Sequence, residues 1–443
     1  MPRRSDPLLK IALTANLFEW YEFSLTAFMA LEIGRVFFPA ATDKTALMLS
    51  FSVFASSYLA RPFGSLFFGA LGNRLGAGAA LKASMIAMAV PASLIALLPT
   101  YQTAGYLATA LLIGLKLLQG FAAGGETPLS GYVVSLNAAH GNRGIYCAWV
   151  VVSGFIGMLL ASAVVFALPY GVALLSSIGG EAHSTRSIDA WRWPFLLCAP
   201  LSLWIYSLRK SIPNHVDDRA CPTRQAKPIL PLVQAAVLVA FMEVQIYTIF
   251  IWLPSYLHSY LGISQFDARS TNVITFMIFS SSMLAAGYAT RWIDASKLVL
   301  AGIASLTLTS YPLFAVLQQG DYLTLVLAQA AFAVMAGCLV GVIFVVLPDL
   351  FRDNWRSFGM TSTYSLSTAI FGGTAPLMGA YLIKTTGWLA APGVYLVAMG
   401  LLAAPVALHV CLTRRGENRI TTSAADPAES AACRSRPVSS SIP

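Results

Sequence analysis

Glu19-Trp20-Tyr21-Glu22 stands in the middle of residues 8–34, an otherwise apolar run. Lys116-Leu-Leu-Gln-Gly120-Phe-Ala-Ala-Gly124-Gly125-Glu126 stands in a second run, residues 104–136. Each run is longer than the roughly 20 residues with which an α-helix crosses a bilayer. A charge at that depth costs several kcal/mol unless it faces a partner or a wet cavity, so by default it marks a route for solute or protons. A membrane protein with ionised groups in its spans reads as a transporter.

Ten further apolar runs follow the same pattern: 45–71, 81–99, 144–169, 191–209, 229–257, 270–290, 297–316, 322–347, 357–383 and 389–412. A β-barrel would show segments of about ten residues alternating apolar with polar. These runs do not alternate, and the prediction is all-α with twelve transmembrane helices. Composition agrees: 57% of the 443 residues are hydrophobic, 11% are charged, and mean hydropathy is +0.69. A soluble domain carries about 25% charged residues.

The net charge of +9 suggests nucleic acid only until its distribution is read. With the N-terminus in the cytoplasm, 20 of the 28 Lys and Arg fall on the cytoplasmic side, six fall outside, and Arg61 and Lys116 lie within spans. That is the positive-inside pattern, and it sets both termini in the cytoplasm of a bacterial inner membrane. No nucleic-acid partner is expected. The first run is too long for a cleavable signal and carries two Glu. The six cysteines form no C-x-x-C pair, so neither disulfide nor metal site is predicted, and no cofactor. The G-x-x-x-x-G-K-[ST], H-E-x-x-H and G-x-S-x-G motifs are missing, which argues against an ATPase and against an enzyme.

Residues 210–228 hold Pro213, Pro222 and Pro228 among mixed charges and read as a cytoplasmic linker. It divides the spans into bundles of six, residues 1–209 and 229–412, with a tail over 413–443 predicted disordered. Paired six-span repeats place a solute site near the midplane between them. A monomer is expected.

Five strings in order now carry a resemblance. They are Asn16-Leu-Phe-Glu19-Trp20-Tyr21-Glu22-Phe23, Arg61-Pro62-Phe-Gly64, the Lys116 string, Trp252-Leu-Pro254-Ser-Tyr256-Leu, and Ile370-Phe-Gly-Gly-Thr-Ala-Pro376-Leu. Together they resemble the metabolite:proton symporter family of the major facilitator superfamily, which includes proline/betaine, α-ketoglutarate, citrate and shikimate transporters. The resemblance implies two six-helix bundles and proton-driven import of a small organic acid or zwitterionic osmolyte by alternating access. It also exposes departures. The superfamily's loop signature after span two resembles G-x-L-x-D-R-x-G-R-R, where this chain has Gly69-Ala-Leu-Gly-Asn73-Arg74-Leu-Gly76-Ala77-Gly78. An amide replaces the acid and two basic residues are gone, which weakens the inward gate and favours the inward-open state. A non-transporting solute sensor and an uncoupled facilitator are the alternatives this erosion supports.

Glu19 and Glu22 lie three apart on one helix face, roughly 16–21 Å into the first span at about 1.5 Å per residue. Two carboxylates this close in low dielectric repel, and one is expected to hold a proton. The plainer reading is static pairing with Arg61 or Lys116. Arg61, mid-span before Pro62, suits a solute carboxylate because its planar fork matches two oxygens; the alternative is an ion pair with Glu19 or Glu126. Lys116 offers a point charge for an anion or a partner for a carboxylate proton switch. Glu243 is the sole acid within the second bundle's spans and completes the pathway set. Asn73, Arg74, Glu126 and Arg143 are assigned to the cytoplasmic gate. Tyr21, Tyr247 and Trp252 are candidate cavity aromatics, although such rings often sit in the interfacial belt. Asp349, Arg352, Asp353 and Arg356 read as an ordinary charged loop.

Overall fold

The computed structural model describes residues 5–39, 41–75, 77–124, 130–131, 134–135, 138, 140–179, 191–209, 229–351 and 356–423. Among them the regular structure is helical, and the twelve predicted spans coincide with helices, single or in segments laid end to end, the fourth as far as its described residues go. The first span is Ser5–Phe28 continued by Ala30–Phe37, the second is Asp43–Leu75, and the fourth begins as Tyr106–Ala123. The fifth is Arg143–Gly179 and the eighth Gln265–Ala289. The predicted linker and Glu126 lie outside the described residues. The last helix, Ala391–Ser423, runs beyond Thr413, where the sequence predicted disorder. No Pro stands between Pro405 and Pro427, so nothing in the backbone stops it earlier.

Polar and apolar residues are distributed the reverse way from a soluble protein. Glu19, Glu22, Arg61, Lys116, Gln119 and Glu243 are at most 2% exposed, whereas Phe63, Leu203 and Leu308 are 68–78% exposed. Lipid-facing helices satisfy their backbone internally and present apolar side chains outward.

Two wide turns shape the second bundle. Span seven runs Ile229–Ile246, opens into a π turn at Tyr247–Trp252, and resumes as Leu253–Leu261. Span eleven does the same at Thr368–Gly372 before Ala375–Thr386. Each turn lies just ahead of a proline, Pro254 or Pro376, which has no N–H to give the preceding turn. The Phe250 carbonyl that Pro254 leaves unbonded accepts 3.0 Å from Asn272 Nδ2 on span eight.

Within the first bundle, span one packs on span five and span two on span four. Spans two and four touch backbone to backbone: a Cβ on Gly120 would lie 1.7 Å from the Ser57 carbonyl oxygen. Only glycine allows this approach, which brings Arg61 and Lys116 into one neighbourhood. The bundles meet where span five packs on span eight and span two on span eleven.

Candidate functional site

Arg61 occupies the centre of the molecule, 2% exposed. Its Nη2 lies 3.8 Å from Glu19 Oε1. The guanidinium also lies 4.5 Å from the ring centroids of Phe23 and Tyr58 and 5.5 Å from that of Trp20. Three ring faces and one carboxylate replace the water that a buried cation loses. Tyr58 and Arg61 are three apart on span two and so present the same face.

The Tyr58 hydroxyl meets the Tyr247 hydroxyl of span seven in a hydrogen bond that crosses between the bundles. One turn before Tyr247, Glu243 is 1% exposed and accepts from Thr368 Oγ1 at 2.8 Å. The wide turns of spans seven and eleven therefore carry Tyr247 and Thr368 to the centre together. Gly372 permits it, because a Cβ there would stand 2.8 Å from the Tyr247 ring. Beside Glu243 is a cavity of about 30 Å³, lined also by Asn16, Trp20, Phe344 and Tyr364. By a measure in which about 10–15 Å³ admits one water, it has room for about two waters and is too small for a solute.

A second charge cluster lies inside the first bundle. Lys116 Nζ donates to Gln119 Oε1 at 2.6 Å, and Gln119 Nε2 donates to Glu22 Oε1. The three form a relay in which an amide bridges an ammonium and a carboxylate. Lys116 Nζ lies 5.4 Å from the Phe23 centroid, so that one ring stands against both Arg61 and Lys116.

At the end of the molecule that bears both termini, Arg143 clasps Asp349 of the tenth span through Nη2–Oδ1 at 2.7 Å and Nη1–Oδ2 at 3.0 Å. Its Nε donates to Ser135 at 2.9 Å. Arg291 donates to Asn142 at 2.8 Å across the same seam. The bundles are closed on each other at that end.

Three comparisons identify this arrangement. Residues 12–321 match the Major Facilitator Superfamily. The chain belongs to that superfamily. It is 32% identical over 418 residues to the citrate-proton symporter of Salmonella typhi, covering 90% of this chain and 93% of that one. It is 28% identical over 425 residues to the proline/betaine transporter of Escherichia coli K12, covering 90% and 82%. Its fold superposes on the proton:xylose symporter XylE bound to 6-bromo-6-deoxy-D-glucose with a TM-score of 0.75 at 16% identity, covering 91% and 94%. The chain is an integral membrane secondary active transporter, not an enzyme, with twelve transmembrane helices in two six-helix bundles.

Within this superfamily fold, several expected positions fall elsewhere than the sequence suggested. Glu19 and Glu22 do not share one field: Arg61 takes the first, and Gln119 with Lys116 takes the second. Tyr21 points into the first bundle, where its hydroxyl donates to the Pro194 carbonyl at 3.3 Å. Trp252 packs on Tyr256 and on Gly379 within the second bundle. Neither ring lines the cavity beside Glu243. Asp349 is no ordinary loop charge, since it is the partner of Arg143. Asn73 and Arg74 lie in the last turns of span two, with side chains outside the described set.

Sequence reasoning missed Tyr58, Gln119, Tyr364 and Thr368. Gln119 was legible, standing three residues after Lys116 on the same helix face. Tyr58 stands likewise three before Arg61. Thr368 was not legible, because its approach to Glu243 depends on two π turns.

Proposed function

We propose that the chain is a proton symporter that imports a small carboxylate-bearing solute, an organic acid or a zwitterionic osmolyte, across a bacterial inner membrane. The observation that carries this reading is Arg61, a cation buried at the meeting of the bundles with, among the described residues, one carboxylate at 3.8 Å and three aromatic faces around it. A solute carboxylate has a planar match on that fork. The rings and Glu243 provide a second pole suited to the cationic end of a zwitterion. The relay of Glu22, Gln119 and Lys116, sealed from the central cavity, is the proton-handling unit in this reading. Separating it from Arg61 lets a proton and a solute occupy the transporter together. The relatives' names support the same class, one being a citrate-proton symporter and another a proline/betaine transporter.

In the same reading the chain works as a monomer in the bilayer. Bundles of residues 1–209 and 229–412 rock about the central seam, joined by a cytoplasmic linker at 210–228, with both termini in the cytoplasm. Arg143, with Asn73, Arg74 and Glu126, belongs to the cytoplasmic gate.

The test is internal pH in proteoliposomes loaded with a fluorescent pH dye. They are challenged outside with α-ketoglutarate, citrate, shikimate, proline and glycine betaine. Acidification with one solute supports symport and identifies the class. Solute uptake without acidification makes the protein a facilitator or couples it to another ion. Binding without uptake makes it a sensor.

A further inference from the structure

At the end of the molecule away from both termini the bundles leave a cleft of about 90 Å³, larger than the central cavity. Its walls include Glu32 of span one, Ser162 of span five, Ser255 and His258 of span seven, and Arg269 and Asn272 of span eight. Arg269 Nη2 and Glu32 Oε1 face each other across the seam at 3.9 Å. A charge-assisted Arg–carboxylate pair closes to about 2.7–2.9 Å, so this one is stretched. With side chains 24% and 39% exposed, water also screens it.

Both partners are underused. Among the described residues Glu32 is the only ion-pair partner of Arg269. Glu32 Oε2 is enclosed and makes no hydrogen bond. Arg143 at the opposite end, by contrast, is bound through all three of its nitrogens. Asn272 commits Nδ2 to the Phe250 carbonyl, which leaves its Oδ1 as an acceptor beside Arg269. His258 is held by its Nδ1 contact with the Ile263 carbonyl at 2.9 Å. The cleft thus offers one planar cation with open donor positions, among hydroxyls and amides, between the two bundles.

We propose that this cleft is a first docking site for the solute's carboxylate, which binds Arg269 and displaces Glu32. The inference rests on the reading that the solute carries a carboxylate. Displacement exchanges a contact between spans one and eight for a contact on span eight alone. Docking and loosening of that end of the seam are therefore one event. Selection for a carboxylate begins at the mouth and is repeated at Arg61.

The test has two arms. In the first, initial uptake is compared in right-side-out and inverted membrane vesicles, using whichever of the five solutes acidifies the proteoliposomes. Arg269→Gln raises KM from the cleft side about tenfold, with Vmax and the opposite-side KM unchanged, because only the mouth loses its fork. Arg269→Lys falls between, and Glu32→Gln lowers the cleft-side KM. An equal rise on both sides, a fall confined to Vmax, or no change overturns the proposal. The second arm needs no transport: phenylglyoxal modification of Arg269 is followed by mass spectrometry with each of the five solutes, and with choline as a carboxylate-free control. Protection by a carboxylate and not by choline supports the site, and the absence of protection by all five overturns it. Wild-type vesicles that acidify with no solute refute the symport reading alone, and the protection arm still decides the docking site.

Discussion

Breaking the Arg143–Asp349 clasp should open the terminal face by a measurable factor, and the protein carries its own reporter. The clasp consists of two charge-assisted hydrogen bonds at 2.7 and 3.0 Å between side chains 26% and 25% exposed. A hydrogen bond to a charged group contributes about 1.5–3 kcal/mol where it is enclosed. Partial exposure screens the pair, so removing its charge costs about 1–2 kcal/mol. At about 1.4 kcal/mol per tenfold, Asp349→Asn raises the open population at this face roughly 5–30-fold. Cys147 lies one turn along span five from Arg143, fully buried, with Sγ 3.7 Å from the Phe344 carbonyl of span ten. It becomes reachable only when these spans part. In a variant that keeps Cys147 as its sole cysteine, the rate of maleimide labelling follows that population. Asp349→Asn and Arg143→Gln should each accelerate labelling within the stated range. The exchange Arg143→Asp with Asp349→Arg should restore most of the slow rate. Unchanged labelling in both single variants would refute the reasoning, as would an exchanged pair that labels as fast as either.

Glu22→Gln removes the carboxylate from the Gln119–Lys116 relay and should abolish solute-driven acidification while solute binding persists, read by the pH dye and by equilibrium dialysis. Gly120→Ala places a Cβ 1.7 Å from a backbone oxygen and should destabilise the fold by about 1–3 kcal/mol, lowering the melting temperature in detergent. Gly114→Ala, where a Cβ meets nothing within 4 Å, should leave that temperature unchanged. Tyr58→Phe and Tyr247→Phe each strand a buried hydroxyl and should cost about 1–3 kcal/mol, whereas the double substitution should cost less than either because no partner is left unsatisfied. A double-mutant cycle in thermal unfolding checks this.

The helical architecture was legible because its cause is local. Runs of apolar residues long enough to span lipid admit one backbone solution, and all twelve coincide with helices. The charged residues of the site were legible as well, since Glu19, Glu22, Arg61, Lys116 and Glu243 are conspicuous in apolar surroundings. Their pairing was not. Residues at i and i+3 share a helix face, yet a rotation of a few tens of degrees decides whether Glu22 meets Arg61 or Gln119. That rotation is set by spans two and four closing on Gly120, a contact between segments about sixty residues apart. Tyr21 faces the Pro194 carbonyl for a related reason. An aromatic next to a charged residue in sequence lies about 100° away around the helix, and can face its own bundle.

The eroded loop signature after span two led to the expectation of a weakened inward gate. Among the described residues, contacts outside that loop close the terminal end. Arg143 and Asp349 supply a bidentate pair between spans five and ten, Arg291 reaches Asn142, and Ser365 donates to the Gly124 carbonyl at 2.7 Å across the same seam. These contacts come from three different parts of the second bundle. Among the described residues, the opposite end has one stretched ion pair and a cleft. A transporter with unequal seams favours the state whose stronger seam is closed, because a difference of about 1.4 kcal/mol between the two closures biases the populations tenfold. On the described contacts, the inequality between the ends predicts a resting molecule biased toward opening at Arg269, read as slow maleimide labelling of Cys147 in the protein with its clasp intact.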